Sequence, residues 1–473
     1  MKRILSLVFL GLMTGAVMAQ DLPARLSLQQ AVDIAIKNNI TVAQSATRVE
    51  AADIDRRQAK ANMLPSLNAD FNYGWNNGRS IDPFQNIYVN QQLQGSNVSV
   101  SGNWVLFNGL QVQNSMKQTK FAHEATKLEL QQAKDQLTIN VIIAYLQVLS
   151  GEDLLLNLEG QALVTKNQVE RLQVLVSEGA RGPYQLSDLK GQYANDQVAI
   201  VTAKNSLEIA RITLCQLMNI PINKSIQLER NDAPFPQEPY GATPEMIYAN
   251  GKNLPGIKAS DLRVESAKKA IAVEKGAFMP RIGLYGNLFS NYSSAAETRT
   301  LTGTADVTTD NYVLVNSVKT NVISPQSQFA SESISYNNQM KNNIGSGFGV
   351  AASIPIFNNL RTKYRVDQAK VQLKAAELDK SQADLTLRQN IEQAYANMES
   401  AYNRYKAVDE QYREYAESFR ANEIRFNEGV INSFEYLQAK NNLDRARLNL
   451  TQIRYEYIFR TKILDYFQGK LSF

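Results

Sequence analysis

The 473-residue sequence predicts a mixed α and β fold, predominantly long coiled-coil helices with four transmembrane β-strands, laid out as an internal tandem duplication. The helices are predicted by a seam. Between Ile391 and Phe419 the apolar residues Ile391, Tyr395, Met398, Tyr402, Tyr405, Val408, Tyr412, Tyr415 and Phe419 step by three or four, with a mean of 3.5. A helix from about Asn358 to Asn427 measures roughly 100 Å, about three bilayer cores, and is too polar to be a membrane span. The strands are predicted by alternation. From Ser66 to Trp75, Leu67, Ala69, Phe71, Tyr73 and Trp75 take one face, and Ser66, Asn68, Asp70, Asn72 and Gly74 take the other. The duplication is predicted by two registers. A shift of 250 aligns Phe107-Asn108 with Phe357-Asn358, Tyr145 with Tyr395, Glu178-Gly179 with Glu428-Gly429 and Leu214 with Leu464. A shift of 215 aligns Asn38 with Asn253, Val49 with Val264, Lys60 with Lys275 and Pro65 with Pro280, so an insertion of 35 residues lies between Arg281 and Ile344.

Residues 1–19 read as a signal peptide, with Lys2 and Arg3, an apolar run from Ile4 to Met18, and Val17-Met18-Ala19 before Gln20. The alternative is an uncleaved N-terminal anchor. No other run approaches eighteen apolar residues, so no transmembrane helix is expected. The first repeat, 20–220, opens with a helix capped by Ser27, carrying Leu28, Val32 and Ala35 or Ile36 at helical spacing. A second helix runs from about Thr41 to Met63, and Pro65 stops it.

Strands follow at 66–75 and 97–107, the second with Val98, Val100, Gly102, Trp104 and Leu106 on its apolar face. Ten residues with one apolar and one polar face suit a lipid-exposed barrel strand; an ordinary half-buried hairpin is the alternative. The only two tryptophans, Trp75 and Trp104, fall near opposite ends of this pair, where interfacial aromatics sit. A long helix, 108–178, and a return helix, 183–219, complete the repeat, with Gly179 as a left-handed cap between them.

The segment 221–244 is rich in proline, with a short strand candidate at Ser225 to Glu229; with the tail 463–473 it is expected to form an equatorial collar. The second repeat, 245–462, has strands at 281–289 and 344–357, a long helix at 358–428, a cap at Gly429 and a return helix at 433–462. Gly345, Gly347, Gly349, Ala351 and Ser353 put small residues on the inward face. The 290–343 segment is expected to be a long loop rich in Ser, Thr, Asn and Gln, either a receptor-like surface or a tolerated insertion.

Composition argues against an enzyme. Cys215 is the sole cysteine, and His123 is the sole histidine, expected on a solvated helix face among Lys120, Glu124 and Lys127. No cofactor or metal site is predicted. The net charge of +5 falls to about +3 without Lys2 and Arg3, and the charges alternate along the helices, so nucleic-acid binding has no support.

Four strands cannot close a barrel, and an open edge in lipid leaves backbone groups unpaired. Dimers would supply eight strands, trimers twelve and tetramers sixteen. Eight leave an interior just filled by side chains, so a conduit needs at least a trimer. A non-conducting periplasmic coiled-coil scaffold is the alternative. A cell-wall enzyme working through carboxylates lacks any clustered acids in a recognisable loop.

The leader, the repeat, the strand pairs at Pro65 and Pro280, and Gly429, Glu435, Leu437 and Ala439 together resemble the TolC family of outer-membrane efflux proteins over essentially the whole mature chain. The resemblance implies a homotrimer whose twelve-stranded β-barrel continues into a periplasmic α-barrel of twelve helices. It implies residence in the outer membrane of a Gram-negative-type cell, among its lipid, with periplasmic helices and extracellular loops. Its partners would be a periplasmic adaptor (membrane fusion) protein and an inner-membrane transporter. The activity implied is passive conduction of drugs, small molecules or secreted proteins in a tripartite efflux or type I secretion system.

The resemblance places adaptor docking at Gly179, Arg181, Gly429 and Val430, and a gate at Arg181, Phe426 and Glu435. Glu435 matches an acidic position of the family and Phe426 an aromatic one. Ile431 replaces a basic residue, and Gln185 and Gln438 stand where relatives can have acids. Arg181 pairing with Glu435 of a neighbouring hairpin is one reading of the gate; two solvated charges is the other.

Overall fold

The computed structural model describes residues 25–81, 86–90, 92–222, 226–230 and 239–470. The expected signal peptide and parts of the 221–244 and 463–473 segments lie outside the described residues. In chain order the first half contains α1 (Leu28–Asn38), α2 (Ile40–Ala61), β1 (Ser66–Asn76), β2 (Arg79–Ile81), β3 (Tyr88–Asn90), β4 (Leu93–Asn108), α3 (Gln111–Ser177) and α4 (Pro183–Met218). The second contains α5 (Pro244–Gly251), α6 (Pro255–Gly276), β5 (Arg281–Ser293), β6 (Glu297–Val315), β7 (Val318–Ser333), α7 (Tyr336–Asn342), β8 (Gly345–Ser353), α8 (Arg361–Asn427) and α9 (Ser433–Phe467). Two helices, a strand, an excursion, a strand, a 67-residue helix and a return helix thus recur in the same order.

The chain divides into two compact units. One comprises the described residues of Met1–Ala52, Ala122–Val264 and Ala376–Phe473; the other is Asp53–Phe121 with Glu265–Ala375.

The first unit is helical. Ser27 and Gln30 form a reciprocal capping box at α1, each side chain bonding the other's backbone N–H, which satisfies two donors the helix itself leaves unpaired. Ala31, Val32 and Ala35 then face a core with Val141, Tyr145, Val148 and Leu214 from α3 and α4. A second core gathers Ile247, Ile391, Met398, Tyr402, Tyr457 and Leu464 from α5, α8 and α9. The predicted seam supplies this core, with Tyr395, Tyr405 and Val408 packed at its margin. Leu214 and Leu464, aligned by the 250-residue shift, are both fully buried.

Three expectations need correction here. Helix α3 contains an 18-residue window, of mean hydropathy 1.5, apolar enough by length and composition to cross a membrane. The helix's apolar residues include the core side chains Val141, Ile142, Val148 and Leu149, and 39% of that window is buried within the chain. His123 is 8% exposed, turned into the helix packing and away from solvent. The return helix extends past 462 to Phe467, because Leu464 and Phe467 belong to the second core.

In the described part of the collar strand candidate, residues 226–229, there is a single parallel bridge, Leu26 to Leu228, partnered by the start of the fold. Tyr145 anchors it, its hydroxyl donating to the carbonyls of Leu26 at 2.9 Å and Glu229 at 2.6 Å. Burial, with the Glu229 charge behind it, pushes that phenol up to about 12, so it remains a donor at physiological pH.

The second unit holds a four-stranded antiparallel sheet in the order β1-β4-β5-β8. Its register sets Leu67 opposite Gly102, Ala69 opposite Val100, Val100 opposite Leu288, and Leu284 opposite Val350, so the apolar sets share one face. A bulge at Leu106 breaks the predicted alternation and brings Phe107, instead of Leu106, opposite Ile282.

The expected long loop is mostly structured. Strands β6 and β7 pair along their length as a ribbon, turning at Asn316 and Ser317, both in the left-handed region. Gln339 on α7 staples the ribbon's base. It is 2% exposed, its amide donates to the carbonyls of Ser293 and Ile334, and its oxygen accepts from Ser293 N–H.

Before each long helix two successive residues adopt positive φ, Gly109 and Leu110 in the first half and Asn359 and Leu360 in the second. At Gly109, a Cβ would lie 2.2 Å from the Gly276 carbonyl oxygen. Gly109→Ala is expected to cost about 2–5 kcal/mol, through left-handed strain plus overpacking. Gly74→Ala, a strand position with open space around it, is the control; thermal unfolding in detergent checks the difference.

Candidate functional site: the apolar sheet face and the helix-hairpin tips

Two places carry the predicted functional residues, one in each unit. On the sheet, large apolar side chains stand in the open: Leu67, Phe71, Trp75, Val100, Trp104, Leu288, Phe348 and Val350 are all exposed, Phe348 at 93%. An exposed apolar sheet face of this extent is a surface for lipid. The opposite face carries Asn68, Asp70, Asn72, Ser99, Ser101 and Asn287.

The tryptophans bracket the apolar face. Trp75 pairs with Gln94, ten positions along β4 from Trp104. At about 3.4 Å per residue and a tilt of about 40°, that separation projects to roughly 26 Å, close to the apolar band of an outer-membrane barrel. Trp75 packs edge-on against Tyr73, with centroids 5.4 Å apart, and Trp104 Nε1 donates to the Met63 carbonyl at 2.9 Å. An aromatic body with one polar bond suits a membrane interface.

On the polar face the β8 glycines are occupied space. A Cβ at Gly345 would lie 2.5 Å from the Phe289 ring, one at Gly347 2.6 Å from Asn287 Oδ1, and one at Gly349 2.6 Å from the Tyr285 hydroxyl. The three β5 side chains lie flush across β8 in the room the glycines leave.

The two helix-hairpin tips are built alike. Gly179 and Gly429 have φ of +74° and +79°. The next residue's N–H reaches back into its own helix, Ala180 to the Leu175 carbonyl and Val430 to the Arg425 carbonyl, each at 2.8 Å. Pro183 begins α4, and Asn432 caps α9 by accepting from Glu435 N–H at 3.0 Å. Glu435 sits in the first turn of α9, where the helix dipole favours an anion.

Arg181 makes two contacts within the chain. Its Nη2 donates to the Phe426 carbonyl at 3.1 Å, and the guanidinium lies 5.8 Å from the Phe426 ring centroid. Phe426 is 4% exposed and stacks on Tyr436 at 4.6 Å, in a core with Leu172, Leu189 and Ile431. Ile431 is therefore a packing residue. Gln185 is buried, its amide donating to the Tyr184 hydroxyl. Val430 and Phe434 project outward.

The sequence reading missed the polar bolts between the hairpins. Ser433 donates to Asp188 at 2.7 Å. Lys440, 2% exposed, lies between Asp444 and Asp196, and Asp196 also accepts from Thr165 and Gln192. Burial raises the Asp444 carboxyl above its ordinary range, against the pull of Lys440. The one available signal was a lysine on the apolar stripe Tyr436, Lys440, Leu443.

Two outcomes are expected. Gly429→Ala destabilises more than Gly179→Ala: both incur about 1–2 kcal/mol of left-handed strain, and only at Gly429 does a Cβ also meet the Arg181 guanidinium, at 2.6 Å. Melting curves of the two variants compare them directly. Phe71→Arg, on the apolar face, costs about 2–4 kcal/mol of bilayer stability and Asn72→Arg much less, read by urea unfolding in liposomes.

The chain matches the family model described as outer membrane efflux protein over residues 31–219 and 247–460. The outer membrane efflux protein BepC of Brucella suis biovar 1 (strain 1330) is 22% identical over 392 residues, covering 81% of this chain and 72% of that protein. Among solved structures, the outer membrane protein VceC of Vibrio cholerae superposes with a TM-score of 0.74 at 12% identity, covering 93% of this chain and 96% of that one. The Neisseria gonorrhoeae MtrE outer membrane channel, solved in its open state, gives 0.71 at 18% identity, covering 94% and 89%. The structural likenesses speak to the fold, and the family match takes in most of each half. The chain belongs to the outer membrane efflux protein family, the TolC-like outer-membrane channels.

Proposed function

We propose that three copies of this chain close one twelve-stranded barrel and that the assembly is the passive outer-membrane duct of a tripartite efflux or type I secretion system. The observation that carries this reading is the sheet: four strands, one exposed apolar face, one polar face, and free edges on β1 and β8. Edges in hydrocarbon need partners, and twelve strands, unlike eight, leave room for water. The two repeats then stand in the trimer as six, and the long helices α3 and α8 together with the return helices α4 and α9 as a twelve-helix periplasmic α-barrel.

The chain carries out no reaction in this reading; energy comes from an inner-membrane transporter through a periplasmic adaptor. The adaptor docks at the hairpin tips around Gly179, Arg181, Gly429 and Val430, where exposed Val430, Phe434 and Tyr184 offer apolar contact. Cargo passes without a binding site, so selectivity resides in the transporter. Arg181 and Glu435 together hold the closed end, Arg181 by tying the end of α8 to the first hairpin and Glu435 by meeting a neighbouring hairpin.

Native mass of the complex extracted in mild detergent tests the assembly: a trimer is expected, and a monomer recovered without detergent would favour a non-conducting scaffold. In planar bilayers, Arg181→Ala and Glu435→Gln channels are expected to leak more in the closed state. Wild-type leakage in both would remove these residues from the gate.

A further inference from the structure

The β6–β7 ribbon buries almost nothing within its own chain. Among the described residues its strands pair only with each other, and nearly every residue on both is exposed. An isolated two-stranded hairpin is marginal in water, so a ribbon of this length calls for a partner. The register sorts its tip into two unlike faces. Val315 pairs with Val318 and Val313 with Thr320, which places three valines on one uncharged face, with Val322 next along it. The other face carries Tyr312 and Leu314 beside Lys319, whose ammonium lies 4.3 Å over the Tyr312 ring.

We propose that the valine face of each ribbon tip packs against the ribbons of the other copies in the trimer, forming a homotypic contact beyond the barrel rim. The proposal rests on the trimeric-barrel reading. Three features favour a second copy over an outside partner. Bulges at Thr302 and at Thr309 to Asn311, with Pro325 in β7, interrupt the ribbon's edges, so strand addition along the shaft is blocked and the side-chain face is what remains. The Gln339 staple ties the ribbon's base to β5, so every copy carries its ribbon to the same rim as part of the sheet. Neighbouring bases in a twelve-stranded barrel are four strands, or about 25 Å, apart, and a ribbon of this length reaches about 50 Å. Tethered tips meet at millimolar effective concentration, which any outside partner must displace.

Single cysteines introduced in a Cys215→Ser background test the contact, with native mass measured first on each detergent-extracted preparation. In trimeric material, oxidation of Val315→Cys is expected to give roughly tenfold more disulfide-linked dimer on a denaturing gel than Leu314→Cys, on the opposite face. Val318→Asp, which would set three like charges at the contact, is expected to lower the temperature at which the trimer dissociates, whereas Ser327→Asp in the shaft leaves it unchanged. A trimer whose Val315→Cys chains do not cross-link, or cross-link no more than Leu314→Cys, and whose Val318→Asp variant dissociates like wild type, overturns the contact and leaves the duct intact. Linkage to a different protein overturns it in favour of that partner. A monomeric native mass overturns the assembly on which it rests.

Discussion

A backbone N–H or C=O facing hydrocarbon has no water to bond, and that constraint orders this chain more than any single contact. The sheet satisfies it internally between β1, β4, β5 and β8 and leaves it unmet along two outer edges. A protein with an apolar face and free edges can be stable in lipid only as part of something closed. The two repeats follow from the same economy: each supplies one strand pair and one long helix with its return helix, so the number of strands needed for closure is reached with few chains.

The helical unit solves a different problem, holding two helix hairpins together without a compact core. Four separate apolar clusters do this among the described residues, one around Tyr145, one around Tyr457, one between Leu158 and Ile200, and one at the tips. Between them lie specific polar bonds: Arg181 to Phe426, Ser433 to Asp188, and Lys440 between two aspartates. Apolar seams tolerate sliding by a turn, whereas a buried lysine with fixed partners does not. Its desolvation makes it costly to unpair, so it defines register more than it adds net stability.

The sequence disclosed what periodicity can disclose. Helix α8 was legible because tyrosines and aliphatics recur at coiled-coil spacing, and β1 because apolar and polar residues alternate without a break. The hairpin caps were legible because glycine is the residue that takes positive φ at little cost. The β6–β7 ribbon was hidden because both its faces mix Ser, Thr and Gln with apolar residues, which erases alternation. Lys440 was hidden because a charge on a helix reads as a solvated surface until its neighbours are known, and His123 was misread for the same reason. The inward position of Phe426 depended on Tyr436, ten residues away across a turn, a pairing that no spacing rule contains.

The flush packing of β5 on β8 has a consequence for how such a wall can evolve. Tyr285, Asn287 and Phe289 occupy volume that Gly349, Gly347 and Gly345 leave empty, so the two strands share one layer of side chains. A larger residue on β8 displaces the side chain directly opposite from its place across the strand, so the sizes at these positions are coupled in pairs. Their sizes are complementary in the manner of a hinge leaf and its recess.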